Sequence, residues 1–155
     1  MKWRSLEWRS LELRSGLVVA ALASLGAGSG CGKFQQAREC GTFVKTVNAW
    51  LGGSAPKAPA ASNDPKQIAN EARHTADHYA DLSRTLAGLH IQSEELAPRV
   101  ARYVAIADSA ASTLREVAAS LDQGDLEQAR KKRVDFDTVA RQEGPLVKEI
   151  NGICR

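Results

Sequence analysis

Residues 68–89 read IANEARHTADHYADLSRTLAGL, and the spacing of their apolar groups decides the fold. Ile68, Ala72, Thr75, Tyr79, Leu82, Leu86 and Leu89 recur in alternating steps of four and three residues. A helix turning every 3.6 residues keeps all seven on one side. Asp64-Pro65 supplies the start, because an aspartate accepts the free amides of a first turn and a proline there gives up no hydrogen bond. Gln67 stands where a capping box closes.

Toward the C-terminus the same rhythm resumes at Ser93-Glu94-Glu95, with Leu96, Val100, Tyr103, Ala107, Ala110, Leu114, Val117 and Leu121 as the inward stripe. Pro98 would cost a backbone bond if this helix began at Glu94, so the start is expected nearer Ala97 or in an irregular turn. Gly124 closes the helix and Asp125 caps the next. That last helix turns Leu126, Ala129, Phe136, Val139 and Ala140 inward, then Leu146, Val147, Ile150 and Ile153, with a kink expected at Gly144-Pro145. Toward the N-terminus a first helix is expected over 34–51, with Phe34, Ala37, Gly41, Val44, Asn48 and Leu51 inward and Cys40 and Val47 flanking. Gly52-Gly53 should end it, and small polar residues with prolines make 52–64 a flexible linker. The fold class is therefore all-α, an up-down-up-down four-helix bundle. A first helix of about 27 Å beside partners of about 40 Å would leave one half of the bundle as a three-helix groove.

The chain has 155 residues, 43% of them hydrophobic and 25% charged, which suits a packed core and excludes a disordered or collagen-like chain. Its formal charge of +3 is unevenly spread, since the first thirty residues hold four basic and two acidic side chains. The remainder is nearly balanced, so charge does not favour nucleic acid as a partner.

That first segment has a basic stretch over 1–15, containing the tandem WRSLE-WRSLE, then the uncharged GLVVAALASLGA over 16–27, then GSGC. This is the layout of a secretory signal, and its uncharged run is shorter than the roughly 20 residues a spanning helix needs. Gly28-Ser29-Gly30-Cys31 resembles the lipobox of bacterial lipoproteins; Ser29, Gly30 and Cys31 match, while Gly28 stands where the family usually carries an aliphatic residue. The resemblance implies that 1–30 is a cleaved signal peptide and that Cys31 is acylated, with a chain such as palmitate, and becomes the first residue. It implies a chain in the bacterial cell envelope, lipid-anchored and facing the periplasm or the exterior. Ordinary secretory cleavage after Ala27-Gly28-Ser29 and an uncleaved helical anchor are the alternatives. Acylation of Cys31 would leave Cys40 and Cys154 as an even pair for a disulfide in an oxidising compartment, the alternative being two separate buried thiols.

Two features bear on chemistry. His74 and His78 stand one helical turn apart, a spacing that can share a zinc or copper ion, with Glu71, Asp77 and Asp81 near enough to join; a solvated polar face explains the spacing equally well. Arg130-Lys131-Lys132-Arg133 is a basic run, but consecutive residues point around the helix and Asp135 and Asp137 follow, so a salt-bridged surface is expected. His90 reads as a surface or capping residue. No catalytic, nucleotide-binding or cofactor signature occurs, and a non-enzymatic function follows. The expectation is a membrane-anchored helical module on the extracytoplasmic side that acts as an interaction partner or scaffold for another protein. The rival readings are a periplasmic metal-binding bundle using His74 and His78 and a ligand-sensing helical domain.

Overall fold

A computed structural model of the chain describes residues 31–54 and 63–155. The leader, 1–30, with Ser29 and Gly30 of the lipobox-like stretch, lies outside the described residues. Five helices follow in order: α1 Cys31–Ser54, α2 Pro65–Ala87, α3 Ala97–Asp122, α4 Leu126–Ala140 and α5 Glu143–Ile153. The described residues are helical with short connections, and the fold is an all-α bundle.

The helix ends follow from local chemistry. Asp64 accepts the Lys66 N–H at 3.0 Å and Pro65 is the first residue of α2. Gln67 does not complete the capping box; its amide donates to Glu71, 3.1 Å away on the next turn. Pro98 sits in the first turn of α3, where a backbone N–H would have no intrahelical acceptor, which is why that helix begins at Ala97 after a turn over 94–96. Gly124 takes the left-handed conformation at φ 73°, open to glycine without strain, and Asp125 then accepts the Gln128 N–H at 2.9 Å.

Three expectations need correcting. The expected fourth helix is two, α4 and α5, and the break falls at Arg141-Gln142 rather than at Gly144-Pro145. Pro145 has no N–H to offer the Arg141 carbonyl and its ring crowds that carbonyl, so the disruption appears one turn upstream of the proline. Helix α1 runs through Gly52 and Gly53 to Ser54, since a helical glycine costs only about 1 kcal/mol against alanine. The linker therefore starts later than expected, and 55–62 lie outside the described residues. The buried stripe of α1 is also rotated: Phe34 is 70% exposed, while Glu39, Cys40, Phe43 and Val47 are buried. The expected stripe contained Gly41 and Asn48, which have little apolar area to bury, and Phe43 outweighs them.

Antiparallel register runs throughout. Trp50 of α1 meets His78 of α2, and Gln35 meets Gln92 beyond the end of α2. Against α3, Lys132 of α4 pairs with Glu116, then Tyr103 meets Glu143 and Arg99 meets Glu149 of α5. Thus α4 and α5 together fill one antiparallel column. The larger core cluster joins Phe43, Tyr79, Leu86, Leu96, Leu114, Phe136, Leu146 and Ile150. A smaller one holds Ala69, Ala72, Val117, Ala118, Leu121 and Ala129. Among the described residues the smaller cluster draws on α2, α3 and α4. Between α2 and α3 this part of the bundle bears an open surface depression lined by Arg73, Asp77, Arg115, Ala119 and Asp122. The alanines of the smaller cluster let α2 and α3 close on each other, and Ala69 and Ala72 are fully buried.

Candidate functional site

The polar chemistry of the molecule collects where α1 lies against the turn joining α2 to α3. Glu39, buried beside Cys40, accepts the backbone N–H groups of Gln92 at 3.1 Å and Ser93 at 2.9 Å, and the side-chain amide of Gln35 at 3.0 Å. The Ser93 N–H is the main reason its carboxyl is held below the usual carboxylate range, outweighing the upward push of burial. Glu39 thus clips α1 onto a turn whose amides would otherwise be unsatisfied. The adjacent Cys40 forms a disulfide with Cys154, with Cα atoms 5.5 Å apart and a sequence separation of 114.

One layer deeper, the Tyr103 hydroxyl donates to Glu143, and both groups are buried. Phe43 meets the Tyr103 ring edge-on at 5.9 Å. Burial raises the Glu143 carboxyl above its ordinary range, and the Tyr103 hydrogen bond offsets part of that rise. Burial and the neighbouring Glu143 raise the Tyr79 and Tyr103 phenols as well, so both remain protonated at any working pH. The consequence for stability has a definite sign. An unfolded Glu143 loses its proton near the ordinary carboxylate value of about 4.3 while the folded one keeps it to higher pH. Folding stability therefore falls as pH rises from that value through the folded one. Urea denaturation at pH 4.5 and pH 7.5 is expected to show a smaller loss across this interval in Glu143→Gln than in the parent chain.

His78 stacks on Trp50 with ring centroids 4.3 Å apart, and the Trp50 indole N–H donates to the His78 carbonyl at 2.9 Å. The His78 Nε2 atom is buried without a hydrogen-bond partner. Burial, then the nearby charge of His74, lowers the imidazole below its ordinary value, with Asp81 opposing. A stacked imidazolium quenches indole emission, so Trp50 fluorescence should fall on acidification with a midpoint below about 6.5, and His78→Asn should abolish that step. Protonation is disfavoured in the folded state, so the stability carried by neutral His78 is lost as pH drops from the ordinary value through the folded one.

The metal expectation gains no support from the surroundings. His74 is exposed, Glu71 accepts from Gln67, Asp77 pairs with Arg115 at 3.0 Å, and Asp81 pairs with Arg84. Asp77 and Asp81 are thus engaged with arginines, while Glu71 keeps its Oε2 buried without a hydrogen-bond partner; among the described residues no three His, Cys, Asp or Glu side chains gather as ligands. His90 is exposed at the turn. The basic run is dispersed: Lys132 pairs with Glu116, and Arg133 pairs with Asp137 at 3.1 Å while standing 5.6 Å from the Phe136 ring centroid.

Glu39 and Glu143 were not legible as site residues, because each reads as an ordinary surface acid of an amphipathic helix. The only signal near them was position, Glu39 beside a cysteine and Glu143 beside a helix-breaking Gly-Pro. The arrangement is a charge-dependent clip, a covalent staple and a buried proton, all at one end of the bundle. No protein-family model, no characterised protein and no solved structure matches the chain.

Proposed function

We propose that this protein is an exported lipoprotein, held at a membrane surface by acyl chains on Cys31, whose disulfide-tied helical bundle serves without catalysis as an interaction or scaffold module. The observation that carries this reading is the division of the cysteines. Cys40 and Cys154 are bonded to each other, so Cys31 has no cysteine partner within the chain, and it is the residue that closes the lipobox-like stretch. Cys31 lies in α1, so an anchor there would pass directly into a helix that is clipped by Glu39 and stapled by Cys40 about 13 Å further along. Such a link, without a long tether, would hold the bundle close to the bilayer. Among the described residues no helix is long and apolar enough to cross a membrane.

Intact mass of the membrane-extracted chain tests this. The expected product begins at Cys31, carries added acyl mass, and gains two daltons on reduction. A Cys31→Ser variant should lose the acyl mass and fail to mature. A chain that keeps Met1 and carries no acyl group, or that matures with an unmodified Cys31, would overturn the reading.

A further inference from the structure

We infer that the outer face of α1 lies flat on an anionic membrane, with the Phe34 ring inserted among the acyl chains beside the anchor. This inference rests on acylation of Cys31 and adds an orientation to it. Positions 31, 34, 38 and 45 are separated by three, four and seven residues, which places them along one side of α1. The opposite side, Glu39, Cys40, Phe43 and Val47, is the one packed into the bundle. Phe34 is 70% exposed, and besides Val134 on α4 it is the one large apolar side chain left in solvent among the described residues.

The charges on α1 are sorted in the same way. Arg38 and Lys45, on this side, are exposed with no ion-pair partner among the described residues; Lys33, also exposed, stands about 200° round the helix from position 31. The sole acid of α1, Glu39, faces inward and is held by the α2–α3 turn. A single aromatic ring flanked by two cations, Arg38 and Lys45, with no acid of α1 on that side, suits phospholipid headgroups of negative charge. It is too narrow for a stable protein interface, which needs a contiguous patch of several hundred square ångströms per partner. Lipid anchoring also works best as two signals, an acyl chain reinforced by a basic or apolar contact, and this face provides the second next to the first.

The test uses the full-length chain, expressed in a bacterial host with a membrane containing phosphatidylglycerol, with a photoreactive benzophenone amino acid placed at Phe34 or, as control, at Val134. Irradiated membranes are expected to give a phospholipid adduct at position 34 about tenfold more abundant than at 134, the least that burial of one large apolar side chain predicts. Arg38→Glu with Lys45→Glu should reduce the adduct at 34 by about tenfold, as expected for reversing two charges at an anionic surface. Acylated protein that gives no lipid adduct at 34, or a protein adduct instead, overturns the inference and leaves the anchor standing. Protein without acyl mass at Cys31 overturns both.

Discussion

Breaking the Cys40–Cys154 bond, by reduction or in a Cys40→Ala, Cys154→Ala variant, is expected to destabilise the protein by about 4–5 kcal/mol, the loop-closure value for a sequence separation of 114. The loss should not be uniform. Helix α1 enters the core through few side chains, chiefly Phe43 and Val47 with Trp50 at the margin, whereas α2 and α3 are packed along their lengths. Without the staple, α1 keeps only those contacts and the Glu39 clip. Hydrogen exchange should then show amides of residues 39–51 losing most of their protection while those of α2 and α3 retain the greater part of theirs. Urea denaturation of oxidised and reduced protein gives the total. Equal protection of α1 in both forms would show that packing, not the bond, holds that helix.

Phe136→Ala is the second large effect, expected to cost about 3–5 kcal/mol of unfolding free energy. Only two side chains of α4 are fully buried, Ala129 and Phe136, so the ring carries most of what fastens this helix to the others. It is 1% exposed, meets the Tyr79 ring edge-on at 6.1 Å and lies 5.6 Å from the Arg133 guanidinium. Truncation would leave a cavity lined by groups from α2 and α3 that short helices cannot easily close. The instructive comparison is Phe34→Ala, the same substitution at a ring in solvent, for which the unfolding free energy from urea denaturation should change by no more than about 0.5 kcal/mol. Similar losses at the two positions would mean that α1 is packed differently from the structure described.

The contrast between these two phenylalanines also shows what the sequence could and could not convey. The stripes of α2 and α3 were legible because each repeats through six or more turns without a rival register, and all eight positions read for α3 are buried. In α1 two registers competed, one through Phe34 and Gly41 and the other through Cys40, Phe43 and Val47, and periodicity alone does not weigh apolar area. The end of α4 was misplaced by one turn because a proline acts on the carbonyl four residues before it. The cysteine pairing was accessible from parity once Cys31 was assigned to an anchor. The Glu39 clip and the Tyr103–Glu143 hydrogen bond were not accessible, since each joins residues 40 or more apart in sequence and no local pattern encodes such a meeting.

The position of the disulfide bears on how the molecule would respond to mechanical load. Tension applied between Cys31 and Arg155 would travel along residues 31–40, cross the sulfur bridge and leave through the last peptide link, bypassing everything between. Only about ten links would be stretched, a reach of roughly 35–40 Å at about 3.5 Å per residue. The bundle itself would hang beside this covalent line as a closed loop, so pulling could straighten the start of α1 without drawing α2, α3 or α4 apart.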